Sequence, residues 1–564
     1  MNVDDTVVAR VARRYVPVTA VVGALCVLIA FAPTLAPTSV SVAVDQPGGT
    51  PPSTPTGTGP ATGEPGPAAS VGPGGTTPGA GAKPASGPGA ELGAVPSAGG
   101  VSRGGVACGP GARQVPWSVY APPCRAAFSG DNGGATAHGV TADTITVTYR
   151  TSDSTQDAAA FAALGSPNFS DPNYVADLRT YIDLFNNDYE LFGRKVELKA
   201  FDGTGDWLSE DQGQNLAAAQ ADASTAHDLG GFADIAFLYK ATQPYEQYLA
   251  RSGVIGLGVP GMPQSFFEAN SPWLYSPFPS GDKLAAWATN AVCQHMVGQN
   301  ASFAGDDAMK AQPRVFGIVT PDIPGYTASG ALVEQGFAAC GAPVGRRVAY
   351  GLNIPTFQNQ ANSIIAQMRA AGVTTVICYC DPLMPAFLTQ TADQQRYDPE
   401  WMAATLGPTD QLLRYSSPRQ WAHAISNRGA YPAKADSEAY RVFKRASPNG
   451  EPREDFYSTA YALVLQLFNG LQAAGPNVTP TNFALGTFSL PPSGKGELGT
   501  WMYGSGAFTP GSDTQVGWWS NTMVSEFDGK PGGWQDCAGG AFFPYALDRR
   551  AEWGPAGTPL ACFP

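Results

Sequence analysis

The chain has 564 residues, 43% of them hydrophobic and only 14% charged, with a net charge of -13. An acidic chain of this size can bury a large core, but it lacks the basic face that neutralising a phosphate backbone requires, so nucleic acid is excluded as a partner. The same charge argues against an anionic membrane surface as the main partner.

The chain opens on an export pattern. Arg10, Arg13 and Arg14 precede an apolar run over residues 16–32, bracketed by Pro17 and Pro33. Residues 1–44 therefore read as a signal peptide, with small residues for cleavage at Ser41-Val42-Ala43, or as an uncleaved signal anchor with the arginines held inside. Either reading puts the rest of the protein outside the cytoplasm, secreted at the cell surface or tied to the membrane through this segment. Leu25 precedes Cys26, where a lipoprotein signal requires a small residue. Residues 45–107 are Gly, Pro, Ser, Thr and Ala with almost no large side chain, which predicts a disordered linker.

From Cys108 onward the composition becomes that of a folded protein. Ile145, Val147 and Tyr149 alternate with polar neighbours as in a strand, and Val175, Leu178, Ile182 and Phe185 recur at helical spacing. Strands follow at 196–198, 235–238 and 254–257, with a short Ala-rich helix at 216–221 and another helix opening at Pro244. After a Pro-rich stretch at 271–280 the alternation resumes. Helices are predicted at 284–296, 327–340 and 357–368, and strands at 315–319, 348–350 and 373–379. A long helix at 456–471 follows, and the tail from Trp501 reads as β-hairpins and loops. Strands alternating with helices of these lengths imply βαβ units and parallel sheets, and two such runs imply two α/β lobes.

Eight cysteines follow the apolar run. Their order predicts disulfides joining Cys108 to Cys124, Cys293 to Cys340 and Cys537 to Cys562. A bridge between Cys378 and Cys380, on one face of a predicted strand, would be strained, which leaves them a distant partner or free thiols. There is no Cys-x-x-Cys pair and the four histidines are scattered, so neither zinc nor any other cofactor is expected.

Several letter patterns fail on context. Gly256, Gly258 and Gly261 fit a dinucleotide fingerprint, but Pro260 and Pro263 prevent a clean helix start there. Ser280-x-x-Lys283 lacks the companion elements of the serine acyl-transfer enzymes, and Ser280 reads as a helix cap. The loop from Asp202 to Asp206 lacks the remaining ligands of a calcium site. With no nucleophile motif and few histidines, no enzyme is expected.

Residues 181–202 (YIDLFNNDYELFGRKVELKAFD), residues 314–326 (RVFGIVTPDIPGY) and the tail at 508–529 together resemble the periplasmic-binding-protein type I family. They are most similar to its branched-chain amino-acid-binding branch, over roughly residues 139–529. The resemblance implies a two-lobed α/β fold of two parallel sheets flanked by helices, joined at a hinge. Lobe 1 would span about 139–278 plus 430–490, and lobe 2 about 279–429 plus 491–564, within a binding domain at 108–564. It also implies a small-molecule ligand in the interlobe cleft, an amino acid or related carboxylate by family default, and an ABC permease as partner. A tethered sensing or structural role on the same fold is the alternative.

Site residues follow from the same resemblance, strand end by strand end. Tyr239, Lys240 and Thr242 are expected to offer a hydroxyl, a charge and helix-start N–H groups to a ligand carboxylate, with Gly258 and Pro260 in a second such loop. Across the cleft, Tyr326 is expected to pack on the ligand or lie over its ammonium, and Asp381 and Asp410, with Thr409 beside it, to pair with a ligand amine. Asp381, which precedes Pro382, also fits a helix cap.

Overall fold

The computed structural model describes residues 93, 97, 99–151, 169–237, 240–404, 410–414, 416–428, 434–525 and 529–562. The apolar N-terminal segment and nearly all of the Gly/Pro-rich stretch lie outside them. Among the described residues no helix is long and apolar enough to cross a membrane, and no group of three or more His, Cys, Asp or Glu could hold a metal ion.

Lobe 1 is built on strands β1 (Thr144–Thr151), β2 (Lys195–Asp202), β3 (Ala233–Ile235), β4 (Ile255–Leu257) and β5 (Leu274–Tyr275). They form one sheet in the order β2-β1-β3-β4-β5, every pairing parallel. β1 is covered on both faces, so its polar alternates are buried along with its apolar residues. The helix Asp171–Asp188 starts with proline in its first turn and buries Tyr174, Val175, Leu178, Tyr181, Ile182 and Phe185 against the sheet.

Lobe 2 repeats the plan with β6 (Phe316–Pro321), β7 (Val344–Tyr350), β8 (Thr375–Cys378), β9 (Glu400–Ala403) and β10 (Ala424–Arg428) in the order β7-β6-β8-β9-β10. A small hairpin, β11 (Lys495–Gly496) and β12 (Gly499–Thr500), precedes three further strands. Of these, β13 (Asp513–Val524) runs antiparallel to β10, and β14 (Pro531–Asp536) and β15 (Phe542–Pro544) pair with β13. Both lobes thus share one strand order, with the reversal between β1 and β3 in one and between β6 and β8 in the other. Such reversals are where open α/β sheets bind ligands, outside the carboxyl ends of the strands.

The helix Tyr457–Ala474 is almost entirely buried and centres the lobe 1 core. A second core lies under the helix Gly281–His295 of lobe 2. Residues ahead of β1 also pack on lobe 1, where Trp117 meets the Phe185 ring edge-on at 5.3 Å and Ser118 donates to Glu438 at 2.6 Å. Trp501 and Phe508, on the return toward β13, pack on the lobe 1 side as well, against Tyr120 and Tyr275.

The structure joins Cys108 to Cys124, Cys293 to Cys340 and Cys537 to Cys562. It also joins Cys378 to Cys380, the pair whose state the sequence leaves open. The reason is that β8 ends at Cys378, earlier than the pattern predicts. The chain then turns, and the two Cα atoms are 5.0 Å apart. An extended strand would hold such a pair about 6.6 Å apart.

Candidate functional site

The carboxyl ends of β1 and β3 carry a buried network of charges. Arg150, next to last in β1, is 1% exposed. Its Nη1 donates to Glu210 Oε1 at 2.8 Å and Asp222 Oδ2 at 3.2 Å, and its Nη2 to Glu210 Oε2 at 3.1 Å and to the Lys240 carbonyl at 2.5 Å. The guanidinium lies 3.9 Å over the Tyr245 ring. Burial alone would lower the Arg150 pKa, but the Glu210 carboxylate outweighs it and holds it above its ordinary value. Asp222 also accepts from the backbone N–H groups of Thr204 and Gly205, so it is satisfied inside the fold.

Lys240 and Thr242 enter this network from the loop after β3. Lys240 is 2% exposed and its ammonium is paired with Asp171, which accepts from the Tyr149 hydroxyl at 2.8 Å through its other oxygen. Thr242 caps the helix Gln243–Ser252, its Oγ1 accepting from the Tyr245 N–H at 3.3 Å. Its hydroxyl proton is donated to Glu210. Deeper in the same lobe, Asp234 of β3 accepts from the Thr148 hydroxyl at 2.6 Å, and burial pushes its carboxyl up to about 7.

The loop after β4 carries Gly258 and Pro260. Gly258 has φ +138°, and a Cβ there would lie 2.4 Å from the Ala236 carbonyl oxygen, so only glycine fits. Pro260 is half-buried. Two residues further, Met262 reaches lobe 2, where a Cβ on Gly325 would come within 2.7 Å of its Cε. A second bridge joins the lobes nearby. Trp207 and Leu208 pack on Ile354, and the Gln212 side chain donates to the Leu352 carbonyl.

On the lobe 2 rim, Tyr326 lies in the first turns of the helix Pro324–Ala339, half-buried, its ring edge-on to Tyr379 at 5.8 Å. Asp381 follows β8. Its carboxylate accepts from the Tyr350 hydroxyl and from the N–H groups of Leu383 at 2.8 Å and Met384 at 3.3 Å, which places it as a cap on the helix Met384–Gln394. Burial raises its pKa.

Asp410 stands apart from this rim. Its Oδ1 accepts from the Trp534 N–H at 3.3 Å. Trp534 pairs with Trp519, next to the Trp518 that opposes Ile425, so Asp410 lies at the level of the amino end of β10. This position is away from the carboxyl-end rim. Tyr239 and Thr409 lie outside the described residues. The fold therefore brings Lys240, Thr242, Gly258 and Pro260 together on one rim, with Tyr326 and Asp381 on the other. The reading from sequence missed Arg150, Asp171, Glu210 and Asp222. The sequence reading placed Arg150 only as one of the polar residues that alternate along the first strand.

Two sheets of one topology, whose loops beyond the carboxyl ends meet, define a two-lobed α/β fold. The chain belongs to the periplasmic binding protein family, whose model matches residues 160–491. Among solved structures it is similar to a fatty acid ABC transporter substrate-binding protein from Thermomonospora curvata. That match has 14% identity and a TM-score of 0.51, covering 74% of this chain and 97% of the other. It is also similar to an ABC transporter solute binding protein from R. palustris in complex with 4-hydroxybenzoate, at 12% identity and a TM-score of 0.51 over 72% and 98% of the two chains. A third is a leucine-, isoleucine-, valine-, threonine- and alanine-binding protein from Brucella ovis in its closed conformation, at 13% identity and a TM-score of 0.50 over 72% and 96%. At these identities the likeness is one of fold. No curated protein matches the sequence.

Proposed function

We propose that this is an extracytoplasmic solute-binding protein that captures a small molecule between its lobes and presents it to an ABC-type permease, held at the membrane by its N-terminal apolar segment. The observation that carries this reading is the meeting of the two rims, Met262 against Gly325 and Leu208 against Ile354, beside Tyr326 and the loop from Lys240 to Thr242. Elements on both sides of a cleft can exchange such contacts for contacts to a trapped solute, which is the logic of hinge closure. The structurally similar proteins that are named for a fatty acid, a hydroxybenzoate and amino acids support a small organic solute as the cargo. The lobe boundaries read from the sequence belong to the same proposal.

The test is a thermal-shift screen of the purified protein against amino acids, amides, fatty acids and aromatic acids. A solute present at 100 times its Kd stabilises the folded state by about 2.7 kcal/mol. A shift with one chemical class supports capture. Silence across the panel, or turnover of a panel member, refutes it.

A further inference from the structure

The loop after β3 has the composition of an anion receptor, an ammonium at Lys240 and a hydroxyl at Thr242 on a helix start, yet both groups are already engaged inside the fold. The ammonium is buried on Asp171. The single hydroxyl proton of Thr242 is given to Glu210, and its oxygen accepts the Tyr245 N–H. The Lys240 carbonyl is itself held by Arg150, whose two terminal nitrogens also donate to Glu210 and Asp222. In the loop after β4, the Gly258 N–H donates to the Tyr275 carbonyl at 3.1 Å. Two cations thus face three carboxylates, Asp171, Glu210 and Asp222, in a buried setting where charges are weakly screened. A ligand carboxylate arriving here would meet a surplus of negative charge with its expected donors already engaged, and an unpaired buried anion is strongly disfavoured.

We infer that the lobe 1 rim rejects a carboxylate anion, so that the solute carries an uncharged or cationic group at this end. The inference rests on the proposed capture of a solute between the lobes. It departs from the amino-acid or carboxylate ligand that the family resemblance implies. Asp171 and Glu210 act here as specificity-determining residues, because they engage the donors that would otherwise recognise an acid.

The test compares isosteric pairs differing only in charge, benzamide with benzoate and leucinamide with leucine, by calorimetry on the wild-type protein and on Asp171→Asn. Asparagine can still accept from Tyr149 while releasing the Lys240 charge from its carboxylate. In the wild type the amide of each pair is expected to bind at least tenfold more tightly than the acid. In Asp171→Asn the affinity for benzoate is expected to rise at least tenfold over wild type, and the gain to vanish in Asp171→Asn/Lys240→Met. Wild-type protein that prefers the acid overturns the inference. So does an Asp171→Asn variant of unchanged melting cooperativity that gains no benzoate affinity, including where no probe binds the wild type. Failure of the broader solute screen, by contrast, overturns the capture reading itself.

Discussion

Replacing Arg150 by methionine tests whether the charge network holds lobe 1 together. The side chain is 1% exposed, donates to four acceptor atoms within 3.2 Å and covers the Tyr245 ring. Methionine keeps much of the aliphatic volume but removes the charge. Glu210 then retains only the Thr242 hydroxyl among these partners, while Asp222 keeps the Thr204 and Gly205 N–H groups. Breaking a buried ion pair by deleting one partner costs about 3–5 kcal/mol, chiefly because a desolvated charge is left behind. Urea unfolding followed by linear extrapolation should show a loss in that range for Arg150→Met. If the loss comes from the stranded charge, adding Glu210→Gln to Arg150→Met should restore more than half of it. A loss below about 1 kcal/mol, or a double variant no more stable than the single one, would refute the reasoning.

Other outcomes follow from the same geometry. The Asp234 carboxyl is raised to about 7 by burial, so the folded state holds this proton more tightly than the unfolded chain does. Its contribution is therefore full below the unfolded pKa of about 4 and is lost as pH rises through about 7. Asp234→Asn should flatten the fall in stability between about pH 4 and 7, with a gain of up to roughly 4 kcal/mol above that window, measured by denaturant midpoints across pH. Gly258→Ala forces a Cβ to 2.4 Å from the Ala236 carbonyl oxygen at φ +138°, and should cost at least about 2 kcal/mol by the same assay. Asp381→Ala removes the acceptor for Leu383 and Met384 and should cost about 1–2 kcal/mol, with faster amide exchange confined to the start of the helix Met384–Gln394.

Hydrophobic periodicity located the strands and helices that build both sheets, because these elements bury one face or both and their pattern follows directly. It missed β9 and β10, which are short and carry Glu400, Ser426, Asn427 and Arg428 as buried polar residues. It also set the strand after the Ala-rich helix too late, since Asp234 breaks the apolar run that β3 would otherwise show. The Ala-rich helix itself runs Leu216–Asp228, longer than its apolar residues indicate, because only one narrow face is buried. At the site, the resemblance placed Lys240 and Thr242 at a rim, but their partners come from elements distant in sequence. Asp171 opens one helix, and Glu210 lies in another, Trp207–Asp211. Nothing in the spacing of these residues shows that a lysine and an arginine are already paired. Asp410 was misplaced for a similar reason, since a residue soon after a strand need not stay at that strand's carboxyl end.

The central claim, two hinged lobes that close on a solute, is tested most directly by measuring the distance between them. Spin labels at Ser224→Cys on the outer helix of lobe 1 and Ser363→Cys on that of lobe 2 would lie on exposed positions. Pulsed dipolar spectroscopy with and without a solute identified in the thermal screen then reads the interlobe distance. A distribution that shifts or narrows on saturation with the solute is the predicted result; one that stays the same at full occupancy would contradict the account.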